Sequence, residues 1–427
     1  LDGLPYNVDF ATGAETNHGT ATGTPWKHCP WDANATDTAD GTTLDDNDTV
    51  VFKGGVTYEG EIIVAASGSL GQLIRLISGD KHSSPWGTGR AVIDGGDTRT
   101  TGITGIGKSY IEVYGFEIKD FPQGAGNTCG IYVDNYAAET VASYWWIHEN
   151  LIHEVDGQGG ASGYGIEIAG YDSDDGHHTI EKNVIYHCEE KGIELYQSHY
   201  NTVRYNYVYD TEDHNMVVTA SHNDIYDNIF RRSGYKWSSG DGNRPAYGLK
   251  VDSGTTINSS YNKVYNNLLI DCLSGLGILN GTNNEFMHNT VFYTGFRYTP
   301  SNGGEEGAAL AILDDGTTGG NYAPEANLVK NNLFYYNNLG GGASKHNILM
   351  VNTNIGDDNE VKNNIIYHDG TYTDVVCWKD GANYSYKTVA EFEGAAGFST
   401  IATGNVASGN VAAAPSFKGG SDIAALF

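Results

Sequence analysis

The chain has 427 residues and a formal net charge of −29, with 24 basic against 53 acidic side chains. That balance excludes a general role on nucleic acid or on an anionic membrane surface, because both are polyanions that the average surface repels. Glycine (57) and tyrosine (29) are abundant, methionine (3) and proline (9) are scarce, and charged residues make up only 18%, which suits a turn-dense β protein better than a helical one.

Taken in chain order, residues 1–45 are polar and aromatic, with Trp26 and Trp31, and read as an N-terminal cap. Asp46–Gly60 is the entry to a repeat, with strands expected at Val50–Phe52 and Ile62–Val64. From Ile147 onward one phrase recurs: an apolar residue, two variable positions, an asparagine and an apolar pair. Ile180-x-x-Asn183-Val184-Ile185, Val203-x-x-Asn206-Tyr207-Val208 and Val264-x-x-Asn267-Leu268-Leu269 are examples, and Val113-x-Gly115-Phe116 is a degenerate opener. A second phrase alternates with it: glycine or a small residue, then apolar positions two apart, as in Gly165-Ile166-Glu167-Ile168, Gly192-Ile193-Glu194-Leu195 and Gly248-Leu249-Lys250-Val251. Successive asparagines lie 22 or 23 residues apart in the tightest copies, the length of one coil of a solenoid. Longer gaps hold insertions before or after the Gly-led strand, where they wall a binding face. From about residue 385 alanine, glycine and serine dominate, as in a C-terminal cap with a loosely ordered tail.

The expected fold is therefore all-β: a single-domain right-handed parallel β-helix over residues 46–384, capped by 1–45 and 385–427. The recurring asparagine is expected to take the left-handed backbone conformation at the hinge and to exchange amide hydrogen bonds from coil to coil. No apolar run approaches about 20 residues, so no membrane span is expected. The five cysteines (Cys29, Cys129, Cys188, Cys272, Cys377) show no metal-type spacing and read mostly as small core residues. A start at Leu1, without methionine or signal peptide, fits a processed secreted protein, expected to act as a monomer.

Alternation of period two separates inward from outward positions on the Gly-led strands. Stacking then aligns Tyr132, Glu167, Glu194, Val217, Lys250, Gly277 and Ala311 in one outward column, with Asp134, Ala169, Tyr196, Thr219, Asp252, Leu279 and Leu313 beside it. Ionisable residues concentrate in the middle coils, which marks a candidate site.

The two phrases together resemble the pectate-lyase-like superfamily of right-handed parallel β-helix carbohydrate-active enzymes. The N-T-D, G-H-G and R-I-K motifs of its polygalacturonase-type hydrolases, and the D-P-H-D of its alginate epimerases, do not occur. Locally, Gly248-Leu249-Lys250-Val251 and the following Tyr261-Asn262-Lys263-Val264-Tyr265-Asn266-Asn267 resemble the G-F-K-L strand and asparagine-rich coil of family-nine polysaccharide lyases. The resemblance implies that Lys250 is a catalytic base. That family's calcium-binding stretch corresponds to Thr211–Val217, which keeps an acidic pair, Glu212 and Asp213.

A lyase cleaving a uronic-acid polysaccharide by β-elimination needs a base, neutralisation of the uronate carboxylate and a groove. Arg231, Arg232, Lys236, Arg244 and Lys250 form a local basic stretch that would attract an anionic polysaccharide to an acidic protein. Lys250, Arg244 and Arg231 are the catalytic candidates, and Tyr196, Arg232, Trp237 and Asp252 the substrate-binding ones. Glu167, Glu194, Asp134, Glu212 and Asp213 offer hard oxygen ligands for Ca2+. Asp172, Asp174 and Asp175 form a further acidic turn. Two alternatives use the same face: a glycoside hydrolase built on Glu167 and Glu194, one coil apart, or a non-catalytic glycan-binding adhesin or tail fibre with tyrosines and tryptophans as sugar platforms.

Overall fold

The computed structural model describes residues 5–96, 98–121, 128–135, 141–157, 162–170, 176–234, 246–253, 258–295, 307–314, 323–335, 349–352, 354–367, 374–380 and 383–414. Each sequence phrase becomes part of one rung. Residues before the asparagine, such as Thr202–Arg204, form a strand of a first sheet; those after it, such as Tyr207–Tyr209, belong to a second; Gly-led segments such as Lys191–Tyr196 form the third. Among the described residues these sheets hold 13, 11 and 12 strands, and spatial neighbours come from successive rungs. The strands of all three sheets pair in parallel except Asp374–Asp380 with Asn383–Thr388, which is antiparallel. The molecule is a parallel β-helix, and no helix in the described residues is long and apolar enough to cross a membrane.

The corner between the first and second sheets is two residues long in rung after rung, and its chemistry differs from the sequence expectation. The asparagine does not take the left-handed conformation; the residue before it does. Lys182, Tyr205, Asp227, Asn266 and His288 have φ between 55° and 57°. The asparagine side chain is needed inside instead. The Asn183 backbone N–H and Nδ2 both donate to Asn206 Oδ1, at 3.0 Å each, and Nδ2 also reaches the Ile147 carbonyl at 2.9 Å. The same bonds repeat from Asn150 to Asn410, where Glu393 Oε1 accepts the last backbone N–H at 2.6 Å. Every ladder asparagine from 150 to 364 is buried, so these bonds satisfy polar groups that would otherwise be costly to desolvate.

A second ladder lines the corner that leads out of the Gly-led sheet: Asn201, Asn223, Asn262, Asn284, Asn327, Asn359 and Asn405. It starts with a histidine. His178 Nδ1 accepts the Trp145 N–H at 3.1 Å, and burial pushes the imidazole pKa down to about 3, keeping it neutral with that nitrogen free to accept.

Inside the coil, single residues of each strand stack rung on rung: Ile180, Val203 and Ile225 from the first sheet, Ile185, Val208 and Phe230 from the second, Ile193, Met216 and Leu249 from the third, all fully buried. Branched and aromatic side chains suit this pleated, two-sided packing. The N-terminal residues join the first rungs. Pro5–Val8 adds a strand before Thr49–Phe52, and Trp26, Trp31 and Leu44 join the same core. At the other end the helix Val389–Glu393, closed by a Thr388–Glu391 capping box, drives Phe392 and Phe398 into the coil. The parallel strand Val406–Ser408 lies beyond residue 384 and pairs with Glu360–Lys362. All five cysteines are buried.

The insertions fall where the sequence places them, at the ends of Gly-led strands. The chain passes from Tyr209 to His214 in one rung, and from Arg231 to Tyr247 in the next. The Gly-led face is thus the one that loops can wall.

Candidate active site

The register confirms both predicted columns. Tyr132 pairs with Glu167, Glu167 with Glu194, Glu194 with Val217, Val217 with Lys250 and Lys250 with Gly277. Asp134, Ala169 and Tyr196 stand in line beside them.

A third outward column was not anticipated. It holds the residue just before each glycine: Cys129, Tyr164, Lys191, His214 and Tyr247. Strict alternation would hide these side chains, but the glycine and the apolar residue after it both face inward. A Cβ on Gly165 would lie 2.4 Å from Ile185 and 2.6 Å from the Gly192 carbonyl, so the strand bends there without a side chain. In the rung that carries Asn215 in place of glycine, that side chain turns inward and its Nδ2 donates to the Val208 and Arg231 carbonyls. The legible signal was the polar or ionisable residue at that fixed offset.

The bend assembles a compact charged cluster. Lys191 Nζ lies 2.9 Å from Glu190 Oε1, 3.1 Å from Glu194 Oε1 and 4.8 Å from the centre of the Tyr164 ring. Burial works against the Lys191 charge, but Glu194 and Glu190 outweigh it and lift its pKa above the ordinary ammonium value. Burial likewise opposes Glu190, yet Lys191 and hydrogen bonds from Ser162 and Tyr164 hold its pKa below the usual value. Glu194 is pulled both ways: burial raises its pKa and the Lys191 ammonium opposes the rise.

One rung away, Glu167 has no such ion pair among the described residues. Burial, then repulsion from Glu194, pushes its carboxyl up to about 7, while the Cys129 Sγ–H donates to its Oε2 at 3.2 Å. Both carboxyl groups are thus raised by burial, but only Glu194 has an ammonium in contact to oppose the rise. Two neighbouring carboxyl groups in unlike contacts are a pairing from which acid and carboxylate roles can be drawn.

The other sequence candidates fall into three groups. Lys250 stands on the same column, but its Nζ is 3.0 Å from Asp252 Oδ2, which ties its ammonium in an ion pair. Tyr196 is half-buried beside Glu194, and Asp134 is buried and hydrogen-bonded to Tyr132. Arg231 and Arg232 do not share this face. Arg231 ends a strand of the second sheet, in register with Tyr209, and bonds Tyr207; Arg232 occupies the following turn, paired with Asp210. The corner between the sheets turns them to the neighbouring side. Arg244, Trp237, Lys236 and the Asp172–Asp175 turn lie outside the described residues.

Two of the acids assigned to calcium have other partners. Glu194 is taken by Lys191, and Asp213 lies 3.5 Å from His214 Nε2. Among the described residues no three His, Cys, Asp or Glu side chains are grouped to hold a metal ion. His214 is a rung connector, its Nδ1 accepting the Tyr247 N–H at 2.8 Å.

Residues 101–291 match the sequence model of the right-handed beta helix region, which covers most of the rungs carrying these columns. Among solved structures the chain is similar to the native GH136 lacto-N-biosidase from Eubacterium ramulus, at 13% identity over 88% of this chain and 67% of that one, with a TM-score of 0.55. The selenomethionine derivative of that protein gives 0.58 at the same identity and coverage. The pectate lyase Pel9A is 16% identical over 72% of this chain and 74% of that one, with a TM-score of 0.45. No curated protein matches by sequence. At these identities the shared property is the fold, the right-handed parallel β-helix.

Proposed function

We propose that this chain is a carbohydrate-active enzyme that hydrolyses a glycosidic bond, with Glu167 as the proton donor and Glu194 as its carboxylate partner. One observation carries the proposal: Glu167 keeps a pKa of about 7 in direct register with a Glu194 that is ion-paired to Lys191. Glycosidases need one carboxylic acid to protonate the leaving oxygen and one carboxylate to take the anomeric centre or activate water. Adjacent rungs are about 4.8 Å apart, near the roughly 5 Å carboxyl separation of retaining enzymes, so the expected product keeps its anomeric configuration. Lys191 holds the Glu194 oxygens in place and favours their charge. Tyr132 and Tyr196, partly exposed beside the pair, offer ring faces and hydroxyls to a sugar.

The competing chemistry is β-elimination with Lys250 as base. It is supported by Lys250 standing two rungs from Glu194 in the same column. Incubation with polygalacturonate, rhamnogalacturonan, alginate, xylan and β-glucan separates the two. Hydrolysis releases reducing ends with no ultraviolet-absorbing unsaturated uronate, and Glu167→Gln lowers the rate by roughly 10³-fold, the order expected for loss of a general acid. Unsaturated product lost in Lys250→Ala would replace the hydrolytic reading with the lyase. Glycan binding without any product would make the chain an adhesin.

A further inference from the structure

The outward columns change character abruptly beyond the glutamate pair. Val217, the cross-strand partner of Glu194, is 3% exposed. Beyond it most outward positions are apolar and covered, with buried Thr219, His214 and Ser274 among them: Tyr247, Ala311 and Leu313 are fully buried and Leu279 is 5% exposed, although all stand on the outer surface of the sheet. They pack together with Ala308 and Cys377, and Tyr386 from the antiparallel strand Asn383–Thr388 closes over the cluster. An outward sheet position is dry only when chain lies over it, so this end of the face is sealed. Lys250 and Asp252 are the polar remnant there, their side chains 17% and 18% exposed and paired with each other.

The opposite end is different. Next to Glu167 comes the partly exposed Tyr132, then Thr104, in polar contact with Glu61 at 2.9 Å. The outward positions beside them, Ile106 and Ile63, are 40% and 44% exposed. Among the described residues, a glycan lying along the columns therefore meets exposed Ile106 and Ile63 on the Tyr132 side, and buried Val217 and Tyr247 one and two rungs past Glu194.

We infer that the groove is blind at the Val217–Tyr247 end, so that the enzyme removes units from a chain terminus and does not cut internally. The inference rests on the proposed hydrolysis at Glu167 and Glu194. An elongated polymer cannot thread past a sealed apolar wall, so only a terminal unit fits between the wall and the carboxyl pair. Tyr386 and the Tyr247–Leu279–Leu313 cluster then set how many sugars fit beyond the scissile bond.

The test uses hexasaccharides of galacturonan, alginate, xylan and β-glucan, each labelled at the reducing end, with products resolved by size over time. A blind groove gives one small product from the first time point, with labelled chains shortening stepwise or one label-bearing end unit released at once. Tyr386→Ala, checked for an unchanged far-ultraviolet spectrum, then yields longer first products because the wall recedes. Simultaneous appearance of all intermediate sizes from the wild type overturns the blind end while leaving hydrolysis intact. Absence of cleavage across the panel overturns the hydrolytic reading itself, and this inference with it.

Discussion

Glu167 carries the most exposed consequence of the structure at the scale of one side chain. Its carboxyl titrates near 7 in the folded chain against an ordinary 4.5, chiefly through burial. A raised carboxyl pKa favours the folded state at acid pH, and that advantage is lost as pH rises from the unfolded value to the folded one. The unfolding free energy of the wild type should therefore fall between about pH 4.5 and 7, by about 3 kcal/mol from this group alone. Glu167→Gln should flatten the curve over that window, a result read from urea midpoints without any substrate. In the active enzyme the same titration sets the alkaline limb, because a proton donor must be protonated: activity should decline through about pH 7. Repulsion from Glu194 is the second cause of the shift, so Glu194→Gln should move the Glu167 carboxyl resonance to titrate at lower pH in a carbon-13 NMR series. An unchanged midpoint would mean that burial alone sets it.

The two asparagine ladders explain at the level of elements why the corners are so regular. Within each ladder the asparagine oxygen accepts a backbone N–H and a side-chain N–H from the asparagine of the rung before it, as Asn228 does from Asn206 at 3.0 Å each. Asn228→Ala strands both donors inside the coil and removes the Asn228 amide's own bonds to Asn267 and Val203. A buried unsatisfied group costs about 1–3 kcal/mol, so the variant should lose roughly 3 kcal/mol or more, measured as a lower denaturant midpoint. A change within a few tenths would show that water replaces the amide. The left-handed residue next door faces outward and varies freely: lysine, tyrosine, aspartate and histidine all occur there. Two adjacent positions thus divide the work, one chosen for its amide and the other carrying a backbone conformation that is costly for any non-glycine residue.

For the whole molecule, the ends of the coil are the weak points. An open β-helix end presents unpaired strand edges that recruit other chains. Here Phe392 and Phe398 plug the C-terminal end, and Glu393 satisfies the last ladder asparagine. A chain ending at Thr388 should keep most rungs, because solenoid stability is local and additive. It should also associate through the uncovered end, eluting from a sizing column ahead of the full chain. A monodisperse truncated protein of unchanged state would show that the plug is dispensable.

Much of this architecture was legible in the residues alone. The spacing of the asparagines gave the rung, and period-two alternation placed Glu167, Glu194 and Lys250 on one outward line, because both depend only on local backbone geometry repeated in register. The exceptions have physical causes. Lys191, Tyr164 and Cys129 escaped because a glycine bend breaks alternation at one position, and a two-residue rule has no term for it. Arg231 and Arg232 looked like neighbours of Lys250 in sequence, yet the corner between sheets turns them to another face. The partners that decide chemistry, Lys191 on Glu194 and Asp252 on Lys250, are contacts within and between rungs. So the sequence by itself determined the coil, its ladders and the line of carboxylates. Only the tertiary structure decided which carboxyl keeps its proton, since burial and neighbouring charge are properties of the packed surface.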